Sequence, residues 1–173
     1  MRWLRLAAVM VLATGCASAF PDEMLQTVNR QLTLVELREA PDQHVGARVI
    51  LGGEILVTTP QSGQTTIEVL GRRLRRAQVP EWSDRSDGRF LVRSTRFLDP
   101  AVYAPGRQIT VLGTVTGSEE RPLGEIPYRY PILAAERLVL WPPPVATPPW
   151  PYYYDPFWDW APGYPPHYYH RRR

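Results

Sequence analysis

Ala47-Arg48-Val49-Ile50-Leu51-Gly52-Gly53-Glu54-Ile55-Leu56-Val57-Thr58 is the stretch on which the fold turns. Val49, Leu51, Ile55 and Val57 are apolar in a strand-like run, and a glycine pair interrupts them. Paired glycines inside a strand mark a bulge or a sharp coil, the device by which a small barrel turns its corners. Pro60-Gln61-Ser62-Gly63 then reads as a turn. A second strand, Thr65 to Leu74, alternates Thr65, Ile67 and Val69 against Thr66, Glu68 and Leu70. Gly88 to Thr95 is a third. Gln108 to Thr116 is a fourth, with Ile109, Val111 and Val115 on one face and Leu112 opposed, and Ala134 to Trp141 is a fifth. Between the third and fourth, Leu98 to Tyr103 reads as one helical turn, with Asp99 as N-cap and Pro100 at the first helical position. Leu32 to Arg38 is a short amphipathic segment stopped by Pro41. These elements predict a mainly β chain, a small five-stranded OB-like barrel with short helical segments. A split antiparallel sandwich is the competing arrangement.

The two ends read differently. Met1-Arg2-Trp3-Leu4-Arg5 is positively charged, Leu6 to Ala13 is unbroken apolar sequence, and Thr14-Gly15 brings small residues before Cys16. The apolar run is too short to span a bilayer, so residues 1–15 are expected to be a signal peptide. Cys16 is the only cysteine, and Leu12-Ala13-Thr14-Gly15-Cys16 resembles a lipobox in which Leu lies one position further upstream than usual. Cys16 is therefore the expected lipidation site; the alternative is an ordinary signal with an incidental cysteine. Two or three acyl chains anchor durably, since each buried methylene contributes about 0.8 kcal/mol. Ala17 and Ser18 follow where inner-membrane retention usually places Asp, which by analogy favours the outer membrane and its periplasmic face. Residues 16–30 read as a tether, residues 31–141 as the barrel domain, and residues 142–173 as a flexible tail with ten prolines and ten aromatics. That proline density excludes helix and central strand and predicts an extended, disordered tail.

Cleavage before Cys16 removes two of the 20 basic residues and none of the 17 acidic ones, leaving a formal charge of +1. That balance gives no support to a nucleic-acid partner.

Several runs together resemble the Slp (starvation-inducible) outer-membrane lipoprotein family. They are Gly52-Gly53-Glu54-Ile55, Gly88-Arg89-Phe90-Leu91-Val92, Arg96-Phe97-Leu98-Asp99-Pro100 with Tyr103, Thr110-Val111-Leu112-Gly113-Thr114-Val115 with Gly117, Pro127-Tyr128 and Trp141. The resemblance covers roughly residues 30–141. It implies an envelope lipoprotein of a Gram-negative cell linked to stationary phase or stress, and it implies no catalytic residues. The Arg72–Arg76 segment and the long tail lie outside the pattern.

Chemistry is sparse. His44, in the Asp42–Gly46 turn, is expected to be a solvated loop residue and not a base. Asp84 and Asp87 share part of a calcium-loop pattern, but the spacing is short, no Glu closes it and Arg85 sits inside, so a plain turn is expected. Glu119-Glu120 reads as a hairpin loop, and His167 and His170 lie beside three arginines, a poor metal site. No cofactor, metal or catalytic set is expected. Arg72, Arg73, Arg75 and Arg76 are the main charge feature. They are either an anionic-surface contact, for lipid phosphate or a wall polymer, or a solvated strand end balanced by Glu68, Glu81, Asp84 and Asp87. Phe97 and Leu98 are expected in the core. Trp150, Trp158 and Trp160 carry the tail's interaction potential, whether it folds back across the barrel, lies on the membrane or binds a partner such as an envelope protein or a sugar surface. The expected function is that of a non-enzymatic, outer-membrane-anchored periplasmic lipoprotein supporting the envelope under starvation or stress. The rival is an OB-type binding module for a glycan or anionic polymer, and an uncharacterised hydrolase is a weaker third.

Overall fold

The structure is a computed structural model that describes residues 18–143. Residues 1–17 and 144–173 lie outside the described residues, and with them the signal peptide, Cys16 and the tail. Two short helices, α1 (Asp22–Leu25) and α2 (Leu34–Glu39), precede five strands: β1 (Arg48–Gln61), β2 (Gln64–Arg72), β3 (Gly88–Ser94), β4 (Gln108–Leu123) and β5 (Ile126–Leu140). The strands close into a barrel in the order β1-β2-β3-β5-β4, and β4 pairs back onto β1. All pairings are antiparallel except β3 with β5, which is parallel. This is the OB-like barrel that the patterning predicts, and the sandwich is set aside.

Period-2 alternation fills the inside. Val49, Leu51 and Ile55 meet Ile67, Val69, Phe90, Val92, Ile109, Val111, Val115 and Leu133 in one buried cluster. Leu34 and Leu37 of α2 join that cluster. The helix is held by a capping box: Glu36 N–H donates to Thr33 Oγ1 (3.3 Å), and Thr33 N–H donates to Glu36 Oε2 (2.7 Å). The bond from Thr33 N–H, and after it one from Thr33 Oγ1 (2.8 Å), to Glu36 Oε2 hold that carboxyl below its ordinary range. Pro41 opens a 3-10 turn (Pro41–His44) and stops the helix.

Three local expectations change. Gly52 and Gly53 stay in register with both neighbouring strands, and the bulge lies between Ile55 and Val57. The glycines are there for space. A Cβ on Gly53 would lie 1.9 Å from Leu70 O, and one on Gly52 would lie 2.9 Å from Ile109 O. The single helical turn expected between β3 and β4 is present: Asp99 O accepts from Val102 N–H (3.0 Å) and Tyr103 N–H (2.8 Å), and Asp99 Oδ1 accepts from Ala101 N–H (2.8 Å). Leu98 is core at 4 % exposure, but Phe97 points to solvent at 73 %. Finally, β4 and β5 run on as a long arm, with Glu119 opposite Tyr130, Glu120 opposite Arg129, and a two-residue turn at Gly124-Glu125. The arm tolerates Pro122 and Pro127 because they face each other next to the turn, beyond the closed barrel.

The segment expected as a tether packs on the barrel from residue 18 onward. Phe20 and Leu25 are buried with Leu112, and Ile50 and Val139 pack against them. Leu112 faces outward from the barrel, so an apolar side chain there needs a cover. Phe20 and Leu25 supply it, at about 1.5–3 kcal/mol for each buried side chain. The segment's far end is fixed by Asn29 N–H donating to Arg48 O (2.8 Å). Arg48 also contacts Thr27 Oγ1 and forms a bidentate pair with Glu136.

Candidate functional site

The outer face of β2 and β3 is where OB barrels usually take ligands. Here the chain occupies that face itself. Leu91, Tyr130 and Ile132 form a second buried cluster, with Tyr128 packed against it. Around them Arg89 pairs with Glu68 (2.7 Å), Arg93 with Glu119 (2.8 Å) and Arg121 with Glu119 (2.7 Å). Tyr130 Oη donates to Glu68 Oε1 (3.3 Å), and burial, followed by the Glu68 charge, raises its pKa. The hydrogen bond from Arg121 holds Glu119 below the ordinary carboxylate range, against a smaller opposing effect of burial. Arg38 of α2 stacks over the Tyr128 ring (4.7 Å to its centroid), and Tyr128 Oη accepts from Arg89 N–H (2.8 Å).

Open space lies instead on the outer side of β1. A groove of about 590 Å³ runs between the start of α2, β1 and the loop after β2. Leu32, Ile50 and Leu74 give it apolar walls, and Arg30, Arg73 and Glu81 give it charge. A smaller pocket of about 300 Å³, also lined by Leu32, Ile50 and Leu74, includes Gln78.

The loop after β2 carries the arginine cluster, and it is not the strand continuation that the sequence suggests. β2 ends at Arg72, whose guanidinium donates to Glu54 Oε2 (3.1 Å) and Arg85 O (2.9 Å). Glu54, not Glu68, balances it. Residues 73–81 form a separate small hairpin, closed by Glu81 N–H to Arg73 O (2.8 Å), Arg75 N–H to Val79 O (2.8 Å) and a Leu74–Pro80 bridge. Its tip is a 3-10 turn at Arg76–Gln78, in which Ala77 (φ 60) and Gln78 (φ 58) adopt left-handed backbone. Arg73, Arg75 and Arg76 are exposed, and their guanidinium groups make no hydrogen bond or ion pair among the described residues.

Gln78 is the residue that sequence reasoning missed. Its Oε1 accepts from Ser18 Oγ (2.8 Å) and Ala19 N–H (2.9 Å). Its backbone O accepts from Thr110 Oγ1 (2.7 Å), which in turn accepts from Trp141 Nε1 (2.8 Å). The first and last described parts of the chain therefore meet at the arginine hairpin. Gln78 has no neighbouring motif and becomes visible only when residues about 60 apart in the chain are brought together.

His44 ends the 3-10 turn half-buried, and Asp84 is exposed in its loop. Among the described residues, no group of three or more His, Cys, Asp or Glu side chains converges as a metal site would require. Cys16, Trp150, Trp158 and Trp160 lie outside the described residues.

A closed five-stranded barrel with a packed interior, its usual binding face filled and its open surface beside the N-terminal segment, defines an OB-type domain decorated on the outside. The family model described as "Outer membrane lipoprotein Slp family" matches residues 13–168, and the chain belongs to that family. The match extends past residues 30–141 on both sides and takes in Cys16, the arginine hairpin and most of the tail. The chain is similar to the uncharacterized lipoprotein YeaY of Escherichia coli (strain K12), 28 % identical over 132 residues, 76 % of this chain and 67 % of that one. An uncharacterized protein of Haemophilus influenzae is 35 % identical over 132 residues, 74 % of this chain and 69 % of that protein. Outer membrane protein Slp of E. coli (strain K12) is 26 % identical over 111 residues, 64 % of this chain and 58 % of that protein, so the chain spans under two thirds of its length. Among solved structures, the small single-stranded DNA-binding protein from Streptomyces coelicolor matches with a TM-score of 0.35 and 14 % identity, over 55 % of this chain and 94 % of that one.

Proposed function

We propose that this Slp-type lipoprotein is a non-enzymatic envelope protein, held at the outer membrane by acyl chains on Cys16, with its barrel in the periplasm, and acting in envelope maintenance under starvation or stress. The observation that carries the non-enzymatic reading is how the barrel is filled. Its inside is filled by aliphatic side chains and Phe90, and the outer β2–β3 face is closed by Leu91, Tyr130 and the Arg–Glu pairs. Base stacking on that face would need exposed aromatics, and Tyr130 is 2 % exposed, which speaks against a nucleic-acid partner. The lipobox-like sequence before Cys16 supports the anchor. Among the described residues no helix is long and apolar enough to cross a membrane.

Fractionating cells that express Cys16→Ser tests the anchor. Fatty-acid labelling should vanish and the protein should move to the soluble periplasmic fraction. Continued sedimentation with the outer membrane would show that something other than Cys16 holds it.

The groove favours a second reading, an OB-type binding module for a glycan or anionic envelope polymer. Apolar walls and flanking arginines suit a ligand with a hydrocarbon or sugar body and a phosphate or carboxylate end.

A further inference from the structure

The hairpin of residues 73–81 and the start of the N-terminal segment are fastened together, and the fastening has a direction. Gln78 Oε1 holds Ser18 Oγ at 2.8 Å and Ala19 N–H at 2.9 Å. Cys16 is two residues before Ser18, so its Cα lies within about 7 Å of the Ser18 Cα whatever the backbone does between them. Arg76 is two residues from Gln78 and Arg75 three, and both are exposed without an acidic partner among the described residues.

We infer that the hairpin is a membrane-contact element, in which Arg75 and Arg76 lie against the anionic phospholipid headgroups of the leaflet that holds the anchor. The inference rests on the acylation of Cys16 proposed above. Acyl chains on Cys16 would bring the Gln78 end of the barrel to the surface. The arginines would then lie within about one or two Debye lengths of it, where each guanidinium contributes attraction to anionic lipid.

Two acidic side chains lie close by: Asp22 shares a shallow surface pocket with Ser18, and Glu81 closes the base of the hairpin, its N–H donating to Arg73 O (2.8 Å). Asp22 and Glu23 belong to the segment that leaves Ser18 and ends at Arg48, where Asn29 N–H donates to Arg48 O. Arg48 is opposite Thr114, whereas Gln78 bonds Thr110. Four strand residues separate those levels, about 13 Å. The segment thus runs from the Gln78 end toward the Arg48 level, and neither Asp22 nor Glu23 pairs with Arg75 or Arg76 among the described residues.

The hairpin is also stiff. Two successive non-glycine residues with positive φ are unfavourable on their own. The three bonds to Gln78 and the closing bonds of the hairpin hold them in place, so the arginines are presented on a fixed support.

The test uses the full mature chain, acylated in cells and purified, with its mass confirming the acyl groups. Once Cys16 is acylated, Ala77→Cys supplies the only free thiol for a fluorophore, and Glu125→Cys at the far hairpin turn is the reference. Both are placed in phosphatidylethanolamine vesicles, with or without phosphatidylglycerol, carrying a headgroup-level nitroxide quencher. The Ala77 probe should be quenched several-fold more than the Glu125 probe when phosphatidylglycerol is present. The difference should collapse at high salt or in Arg75→Gln/Arg76→Gln, and survive in Arg129→Gln/Arg137→Gln, which removes equal charge elsewhere. Equal quenching at both sites, or indifference to the Arg75/Arg76 pair, would overturn the inference. So would an unquenched hairpin whose arginines are instead needed for retention on isolated peptidoglycan. A mass without acyl groups would sink the anchoring reading separately. The unacylated chain's affinity for phosphatidylglycerol vesicles then decides the hairpin: a loss of about 30-fold on removing the pair supports it, and no loss refutes it.

Discussion

Replacing Gly53 by alanine adds one methyl group and should be among the most damaging single changes to the barrel. The new Cβ would sit 1.9 Å from Leu70 O and 2.8 Å from Leu70 C, both backbone atoms of the neighbouring strand. Neither can rotate away. Restoring even a tight contact near 3.0 Å requires β1 and β2 to separate by about 1 Å, which stretches the ladder bonds around Gly53, Glu54 and Ile55 beyond useful length. Losing two such bonds costs about 2 kcal/mol, and overpacking a filled core adds 1–3 kcal/mol more. The expected loss is therefore about 3–5 kcal/mol, or roughly 10–15 °C in melting temperature for a domain of this size. Gly117→Ala is the control. It meets nothing within 4 Å and pays only for its backbone at φ +135. Urea unfolding of the mature chain carrying Cys16→Ser, followed by circular dichroism, gives both values, with an unchanged m-value as the check that only stability has moved. A Gly53→Ala loss below 1 kcal/mol, or one no larger than that of Gly117→Ala, would refute the close-approach reasoning.

Two further outcomes follow from the packing and the charges. Phe20→Ala should cost about 2 kcal/mol and speed protease cleavage between residues 18 and 33 while leaving the barrel's β signal unchanged; unaltered cleavage would mean that Leu112 is not covered as described. The hydrogen bonds from Arg121 and Arg48 hold Glu119 and Glu136, respectively, below the ordinary carboxylate range. Their stabilisation is then complete above the unfolded-state pKa, near 4.3, and is lost as pH falls through the folded-state values. Because both carboxylates are about a third exposed, the effect should stay within about 1 kcal/mol each. Urea midpoints measured down the acid limb should decline less steeply in Glu136→Gln than in the parent, and equal slopes would exclude the Arg48 pair as a contributor.

The barrel itself was legible because period-2 alternation survives in each closing strand, and Ile67, Val69, Phe90 and Val92 are where that pattern places them. What escaped was the chain that covers the outside. Glu119, Glu120 and three prolines make the β4–β5 arm look like loop. Its strand character comes from each half pairing the other, and the short Leu-Gly-Glu-Ile turn at residues 123–126 was its one local signal. The docking of Phe20 and Leu25 had a subtler cue in Leu112, an apolar residue on the polar side of its strand. The arginine run misleads because the strand pattern of β2 reads on past Arg72 in the sequence. A break at Ala77-Gln78 without glycine carries no turn signature, and the bonds that enforce it come from Ser18, Ala19 and Thr110. Phe97 broke the opposite way: its neighbour Leu98 is tied inward by its N–H to Thr65 Oγ1 (3.1 Å), and this leaves Phe97 facing solvent.

The cover over Leu112 also imposes an order of events. Phe20 leaves the ribosome some 90 residues before its seat on β4 has been made, and that seat exists only once β1 has paired with a strand about 60 residues further along. Pairings this distant in sequence are slow to form. Until they do, residues 18–30 have no seat on the barrel, and Phe20 and Leu25 are open to any other apolar surface they meet. Closure of the barrel then seats Phe20 and Leu25, so that the burial of this segment is timed by the folding of the domain behind it.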